Sequence, residues 1–222
     1  MKTYKDSIVS QVKWGGEILA GEIMKRLALI LVLVFAGLAS ISAADYIYVF
    51  KPVPNKLWEL PHDYYFTWGI NFNLAPDEII TGATLTYENI WNWRKEKNNL
   101  YTTLLDNPRT GVVTYLDYQG GGNNFAGQGT FAGDWSDLYG GYPRNFDLVY
   151  DFEELGLLDV LNEYINTPPS SSRRANFGFG IDPDCHYYND GIKFVITTTV
   201  IPEPATIAIL GLGVIFLIRR RK

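Results

Sequence analysis

The sequence predicts a mainly β protein, a β-sandwich of the jelly-roll type with one inserted helix. Three observations support this prediction. Apolar and polar residues alternate with period two through much of residues 45–200, turn-forming residues separate these runs, and a single stretch has helical periodicity. Two further helices are expected outside this body, a signal helix near the N-terminus and a hydrophobic helix at the C-terminus.

Eight runs in the body have the composition of strands. In the second run Tyr64, Phe66 and Trp68 fall on one side, with Thr67 and Gly69 opposite, which is typical of a half-buried strand. Proline, glycine and asparagine separate the runs. In chain order the predicted strands are 46–50, 62–74, 79–93, 100–105, 112–118, 145–152, 175–181 and 192–199.

The helix is predicted over residues 153–165. Leu155, Leu158, Leu161 and Ile165 fall near one face of such a helix, and Asp151 is a candidate N-cap. The glycine-rich stretch 119–141 is predicted to be a loop that holds at most one short strand. A loop of this length is either functional or mobile, or it is a surface loop fixed by its own aromatic residues.

Residues 24–44 have the parts of a secretory signal. Lys25 and Arg26 precede an apolar run, and the small residues Ser42 and Ala44 place cleavage between Ala44 and Asp45. Residues 1–23 add a stretch that a signal peptide does not need. We interpret them as an upstream start artefact, with Met24 as the start; the alternative is a long N-terminal region of the signal.

The body is strongly acidic. Residues 45–200 contain twenty acidic and ten basic residues, a net charge of −10, against −5 for the whole chain. Because such a body repels polyanions, its charge argues against nucleic acid or anionic lipid as a direct partner. Neutral glycans, cations and a simple role in solubility are all compatible with it. The single cysteine, Cys185, excludes an intrachain disulfide.

Hard oxygen ligands are concentrated between the last two predicted strands. Oxygen atoms at alternating positions of a turn can bind Ca²⁺, although this stretch lacks the pattern of an EF-hand. The alternative is a hairpin loop in which Asp and Asn side chains form Asx-turns. The candidate Ca²⁺ ligands are Asp182, Asp184, Asn189 and Asp190.

Aromatic residues offer a second kind of site. Jelly rolls bind sugars through exposed aromatic rings, with amide or carboxylate groups on the hydroxyls, and Asn92, Asp137 and Tyr142 lie near suitable rings in the sequence. Aromatic residues of a β domain more often belong to the core. The candidate ligand-binding residues are Trp91, Trp93, Trp135 and Tyr139.

The sequence gives little support to catalysis. Its two histidines, His62 and His186, are 124 residues apart in the chain, and no Gly-x-Ser-x-Gly elbow is present. Cys185 and His186 are adjacent, so in a strand they would point to opposite faces. A carboxylate pair such as Glu88 with Asp106 can be suggested for glycoside hydrolysis, but no spacing distinguishes it. We therefore predict that the protein is not an enzyme.

The last twenty-two residues, 201–222, form three blocks. A Pro-Glu-Pro triplet ends the folded body, because proline disrupts strands and helix interiors. An uncharged apolar run over 205–218 suits lipid, and the cations after it should stay cytoplasmic. The residues of the outer blocks are Pro202, Glu203, Pro204, Arg219, Arg220 and Arg221, followed by Lys222.

This tail resembles a PEP-CTERM sorting signal, which is also catalogued as the ice-binding protein C-terminal domain. The resemblance implies signal peptidase and an exosortase as partners, in bacteria that make extracellular polysaccharide. It implies a precursor held in the inner membrane by its C-terminal helix, then a place in the cell envelope, on the outer surface or outside. Ice binding does not follow from it. The alternative is an ordinary single-pass anchor, for which the apolar run is short.

Together these features predict an exported bacterial surface or extracellular-matrix protein. The expected organisation is an artefactual segment at 1–23, a signal peptide at 24–44, a β-sandwich at 45–200 and the sorting segment at 201–222. The sandwich is expected to be structural or glycan-associated rather than catalytic, with extracellular polysaccharide as a partner. The alternatives are a carbohydrate-active hydrolase and a Ca²⁺-dependent carbohydrate-binding module.

Overall fold

The computed structural model describes residues 45–53, 56–95, 99–138 and 146–200, and residues Ala44–Ile201 form one compact unit. The expected signal segment 24–44, the stretch 1–23 and the sorting segment 201–222 lie outside the described residues. Within the described ranges, no helix combines the length and apolar character needed to cross a membrane. Asp45, on the body side of the predicted signal cleavage, begins the first strand.

The described residues form twelve strands and one helix, α1 (Leu158–Asn166). The strands are β1 (Asp45–Phe50), β2 (Glu59–Leu60), β3 (Tyr64–Ile70), β4 (Glu78–Glu88), β5 (Trp91–Asn92), β6 (Leu100–Asp106), β7 (Gly111–Leu116), β8 (Thr130–Trp135), β9 (Leu148–Asp151), β10 (Phe177–Pro183), β11 (Tyr187–Tyr188) and β12 (Gly191–Val200).

The strands form three antiparallel sheets, with orders β1-β12-β4-β9, β7-β3-β10-β6-β8 and β2-β11-β5. Eight of them have the pairing of a jelly roll: β1 with β12, β3 with β10, β4 with β9 and β6 with β8. Of these eight strands in chain order, the first thus pairs with the eighth, the second with the seventh, the third with the sixth and the fourth with the fifth. The predicted jelly roll is confirmed, and β7 adds a fifth strand to the edge of one sheet.

The core lies between the two larger sheets and is built from aromatic rings. Phe194 of β12 meets Phe179 of β10 across the sandwich with ring centroids 4.9 Å apart. Phe152 and Phe177 pack on the same ring at 5.3 and 5.7 Å. These four side chains are fully buried. Period-two alternation directs Phe177, Phe179 and Phe194 inward from their strands, and Phe152 enters the core from the turn after β9.

The helix begins later than predicted. Residues 153–156, predicted to be the first turn of the helix, form a turn that precedes α1. Gly156 in this turn has φ +67°, a conformation that interrupts a right-handed helix. Asp151 accepts hydrogen bonds from the backbone N–H groups of Glu153 and Glu154, so it caps that turn and not α1. Leu155, expected on the buried face, is therefore exposed, whereas Leu161 and Ile165 are buried as predicted.

Candidate functional site

The three-stranded sheet β2-β11-β5 presents one buried face and one outward face. Its inner side chains Leu60, Asn92 and Tyr187 are completely buried against the sandwich. Tyr188 is the neighbour of Tyr187 in β11 and pairs with Trp91 of β5, so both project from the other face. Because the side chains of the inner face are buried in the core, the backbone that carries the outward side chains is held in place.

Five rings form a continuous row on this outward face, which we call the aromatic surface. Tyr188 lies at its centre, stacked on Trp91 at 4.6 Å and on His186 at 4.8 Å between centroids. Trp58 lies 6.3 Å from Tyr188 at one end, and Trp93 lies 5.9 Å from His186 at the other. Trp58 is 50% exposed and Trp93 is 42% exposed, so indole surface is open to solvent at both ends.

Polar groups border the aromatic surface. The Nε2 atom of His186 is 2.8 Å from Oε1 of Glu59, which fixes the imidazole between the rings. The guanidinium of Arg94 lies over the ring of Trp93, 4.0 Å from its centroid. A carboxylate and a guanidinium thus flank the rings.

The predicted ligand-binding residues divide between several places. Trp91 and Trp93 belong to the aromatic surface. Trp135 instead packs between Phe146 and Tyr187, at centroid distances of 5.7 Å from each. Tyr139, like Tyr142, lies outside the described residues.

Three members of the aromatic surface were missing from the sequence prediction: Trp58, His186 and Tyr188. His186 and Tyr188 are two residues apart, as are Trp91 and Trp93. This shared spacing of two was the available signal, because it places each pair on one face of an extended segment. No comparable signal identifies Trp58.

The four predicted Ca²⁺ ligands are not brought together. Asp182 and Asp184 accept hydrogen bonds from the backbone N–H groups of Asn124 and Gly122, at 2.5 and 2.8 Å, and hold the glycine-rich loop. The Nδ2 atom of Asn189 donates to the carbonyl of Leu57, and the carboxylate of Asp190 accepts from the Asn89 amide. Among the described residues, no group of three or more His, Cys, Asp or Glu side chains is placed to hold a metal ion.

Asn189 holds the segment before β2 in place through two hydrogen bonds. Its side chain donates to the Leu57 carbonyl at 2.7 Å, and its backbone N–H donates to the Trp58 carbonyl at 3.0 Å. Both bonds tie the segment before β2 to the loop after β11. These bonds hold the backbone that carries Trp58, whose indole lies beside Tyr188.

Asp182 should make the stability of the body depend on pH. Burial raises the pKa of its carboxyl from 3.8 to about 6, against the opposing effect of the hydrogen bond from Asn124. The folded state therefore binds this proton more tightly than the unfolded chain. The contribution of Asp182 to the free energy of unfolding should be fully present below about pH 4 and should fall by about 2–3 kcal/mol as the pH rises through 6.

Urea unfolding at several pH values measures this effect. Asp182→Asn keeps an oxygen acceptor for Asn124 but cannot titrate, so the decrease between about pH 4 and pH 6 should shrink. Asp77→Asn, at an exposed carboxylate, should leave the wild-type pH profile unchanged. Parallel profiles for wild type and Asp182→Asn would contradict the assignment.

The residues considered for catalysis are dispersed. Glu88 is paired with Lys193 at 2.8 Å at the end of β4, whereas Asp106 ends β6 in the other large sheet. Cys185 is buried, while His186 belongs to the outward aromatic surface, so the two neighbours point to opposite faces. His62 is exposed beside Asp63.

Comparison with known families identifies the tail and not the body. Residues 200–222 match the PEP-CTERM protein-sorting motif. The PEP-CTERM motif implies that the chain is exported through an exosortase-type sorting system, by way of a membrane-anchored precursor. No curated protein and no solved structure matches the chain. The function of the body therefore has to be argued from its own residues.

Proposed function

We propose that the body of this PEP-CTERM protein is a non-catalytic glycan-binding domain on the cell surface or in the extracellular matrix. The aromatic surface is its binding site, and a neutral polysaccharide is its ligand. The observation that supports this most strongly is the row of five rings on one face of a sheet whose other face is buried in the core.

The geometry suits a chain of sugars. Neighbouring rings from Trp58 through Tyr188 and His186 to Trp93 lie 6.3, 4.8 and 5.9 Å apart between centroids. The row is open at both ends, so it can contact successive sugar rings of a polymer that passes across it. The apolar faces of pyranoses can pack on exposed indole surface, which Trp58 and Trp93 supply at the two ends of the row.

The charge of the body and the placement of its acidic groups favour binding to a neutral glycan over hydrolysis. A net charge of −10 disfavours polyanions at long range and leaves neutral polysaccharides unaffected. The carboxylates suggested for glycoside cleavage, Glu88 and Asp106, lie in different sheets, and Glu88 is already paired with Lys193. Export by the sorting system would bring the domain to where extracellular polysaccharide is found.

Affinity electrophoresis tests the proposal. Residues 45–200 would be run through native gels that contain soluble neutral glucans, mannans, xylans or galactans, against the same gel without polysaccharide. We expect retardation by at least one of these polymers. The same gels with EDTA or added Ca²⁺ test the calcium hypothesis, since only a metal-dependent site would respond. Unchanged mobility in every polysaccharide gel would contradict glycan binding.

A further inference from the structure

A groove lies on the outer face of the five-stranded sheet. It shares no residue with the aromatic surface. Its volume is about 320 Å³, between β3, β6, β7 and the glycine-rich loop. A volume of this size suits a small ligand or a few units of a larger one. Its principal lining residues are Tyr65, Asp106, Arg109, Tyr115, Gln128 and Arg174.

Glycines in the sheet allow this groove to form. Gly69 and Gly178 are paired across β3 and β10. A Cβ atom on Gly69 would lie 2.1 Å from the carbonyl oxygen of Arg109, and one on Gly178 would lie 2.8 Å from the Pro108 ring. The segment at 108–109 therefore lies directly on the sheet, and only glycine permits this close approach.

Two arginines are neighbours at this crossing. Arg109 and Arg174 are antiparallel bridge partners, so their side chains leave the backbone as neighbours. Nη1 of Arg174 donates to the carbonyl of Asn107 at 3.0 Å, and Asn107 is itself hydrogen-bonded to Ser170 at 2.7 Å. Arg174 is thus oriented before any ligand arrives.

The two guanidinium groups have no counter-ion among the described residues. Neither Arg109 nor Arg174 makes an ion pair with any residue in the described ranges, although Asp106 lines the same groove. Like charges directly opposite each other are unfavourable, and an anion between them would remove that repulsion. With Arg173, this region holds three of the five arginines of residues 45–200, in a body that is otherwise acidic.

A tyrosine pair forms the opposite wall. Tyr65 of β3 and Tyr115 of β7 are register partners whose rings stack at 5.0 Å with an interplanar angle of 12°. Phe125 packs edge-on against Tyr65 at 5.5 Å and holds it in place. The groove therefore combines an aromatic wall with two neighbouring arginines, of which Arg174 is held by a hydrogen bond.

We propose that this groove binds a uronic acid unit of an acidic oligosaccharide. The carboxylate lies against Arg109 and Arg174, where planar guanidinium groups match its two oxygens. The sugar ring packs on the Tyr65–Tyr115 wall, and Gln128 and Asp106 receive its hydroxyls. The net charge of the body opposes long polyanions at a distance, so the site suits a short acidic segment. The proposal uses none of the residues of the aromatic surface.

Calorimetric titration of residues 45–200 with an oligogalacturonate and with its methyl ester tests this site. Esterification removes the charge and leaves the sugar rings unchanged. We expect the free acid to bind at least 10-fold more tightly than the ester, and less tightly as salt is added. Arg174→Gln and Arg109→Gln should each reduce affinity for the acid about 10-fold or more, with thermal melts confirming that both variants are folded.

Arg173→Gln is the matched control, because it makes the same change of charge one residue away, on a side chain that does not line the groove. Its affinity should stay within about twofold of wild type. Equal binding of acid and ester, no binding of the acid, or equal losses for Arg173→Gln and Arg174→Gln would overturn the proposal. Replacement of Trp58 and Trp93 should leave oligogalacturonate binding intact. Binding at the groove and binding at the aromatic surface are therefore tested independently.

Discussion

Replacing Phe194 with alanine is expected to lower the free energy of unfolding by about 4 kcal/mol. The ring is fully buried and contacts Phe152, Phe177 and Phe179 within 5.7 Å between centroids, so its loss leaves a cavity between the two sheets. Because domains of this size are stable by about 5–15 kcal/mol, this single change removes a large part of the total. Urea unfolding of residues 45–200 measures it.

Phe131→Ala is the control for this substitution. Phe131 lies on β8 with 52% of its surface exposed, and its removal should change stability by less than about 0.5 kcal/mol. If Phe194→Ala lowered the free energy of unfolding no more than Phe131→Ala, the two sheets would not be packed on the Phe194 ring. That outcome would contradict the sandwich core described above.

Removing both exposed ends of the aromatic surface should have the largest effect on binding. The variant Trp58→Ala with Trp93→Ala is expected to weaken affinity for the neutral polysaccharide at least 30-fold, an amount typical of buried tryptophans at binding sites. Tyr188 and Trp91 stay stacked at 4.6 Å, so the small sheet should keep its structure. Retardation in gels of increasing polysaccharide concentration gives the affinity of each variant.

Tyr118→Ala is the matched control for the double variant. Tyr118 is 89% exposed and lies outside the aromatic surface, so its loss tests whether any exposed aromatic residue contributes. Its affinity should equal that of wild type. A double variant that binds as well as wild type, with an unchanged melting temperature, would show that the polysaccharide binds elsewhere.

The large strands were predictable because each has one buried face. Period two in β3 places Phe66, Trp68 and Ile70 on the core side, and the structure buries all three. β8 lies within the glycine-rich stretch, where the sequence predicted at most one short strand. Gly133 follows a shift in register between β6 and β8, and glycines of this kind hide the alternation of a strand.

The sites were less predictable, because their residues meet only in the folded chain. The strands β2, β5 and β11 have two residues each, too few to show a period. Arg109 and Arg174 are 65 residues apart and become neighbours through a single bridge. The sequence predicted Asp182 and Asp184 to be metal ligands, whereas their carboxylates accept hydrogen bonds from backbone amides. A turn rich in Asp and Asn has the same sequence pattern in both cases, so the sequence does not distinguish them.

The indole N–H signals of residues 45–200 report directly on whether a polysaccharide binds at the aromatic surface. This part of the chain has five tryptophans, and each gives one signal in a proton–nitrogen correlation spectrum that can be assigned by substitution with phenylalanine. On saturation with the retarding neutral polysaccharide, the signals of Trp58, Trp91 and Trp93 should shift. Those of the buried Trp68 and of Trp135 should not. Binding that leaves the first three signals unmoved, or that shifts only the other two, would contradict the aromatic surface as the glycan site.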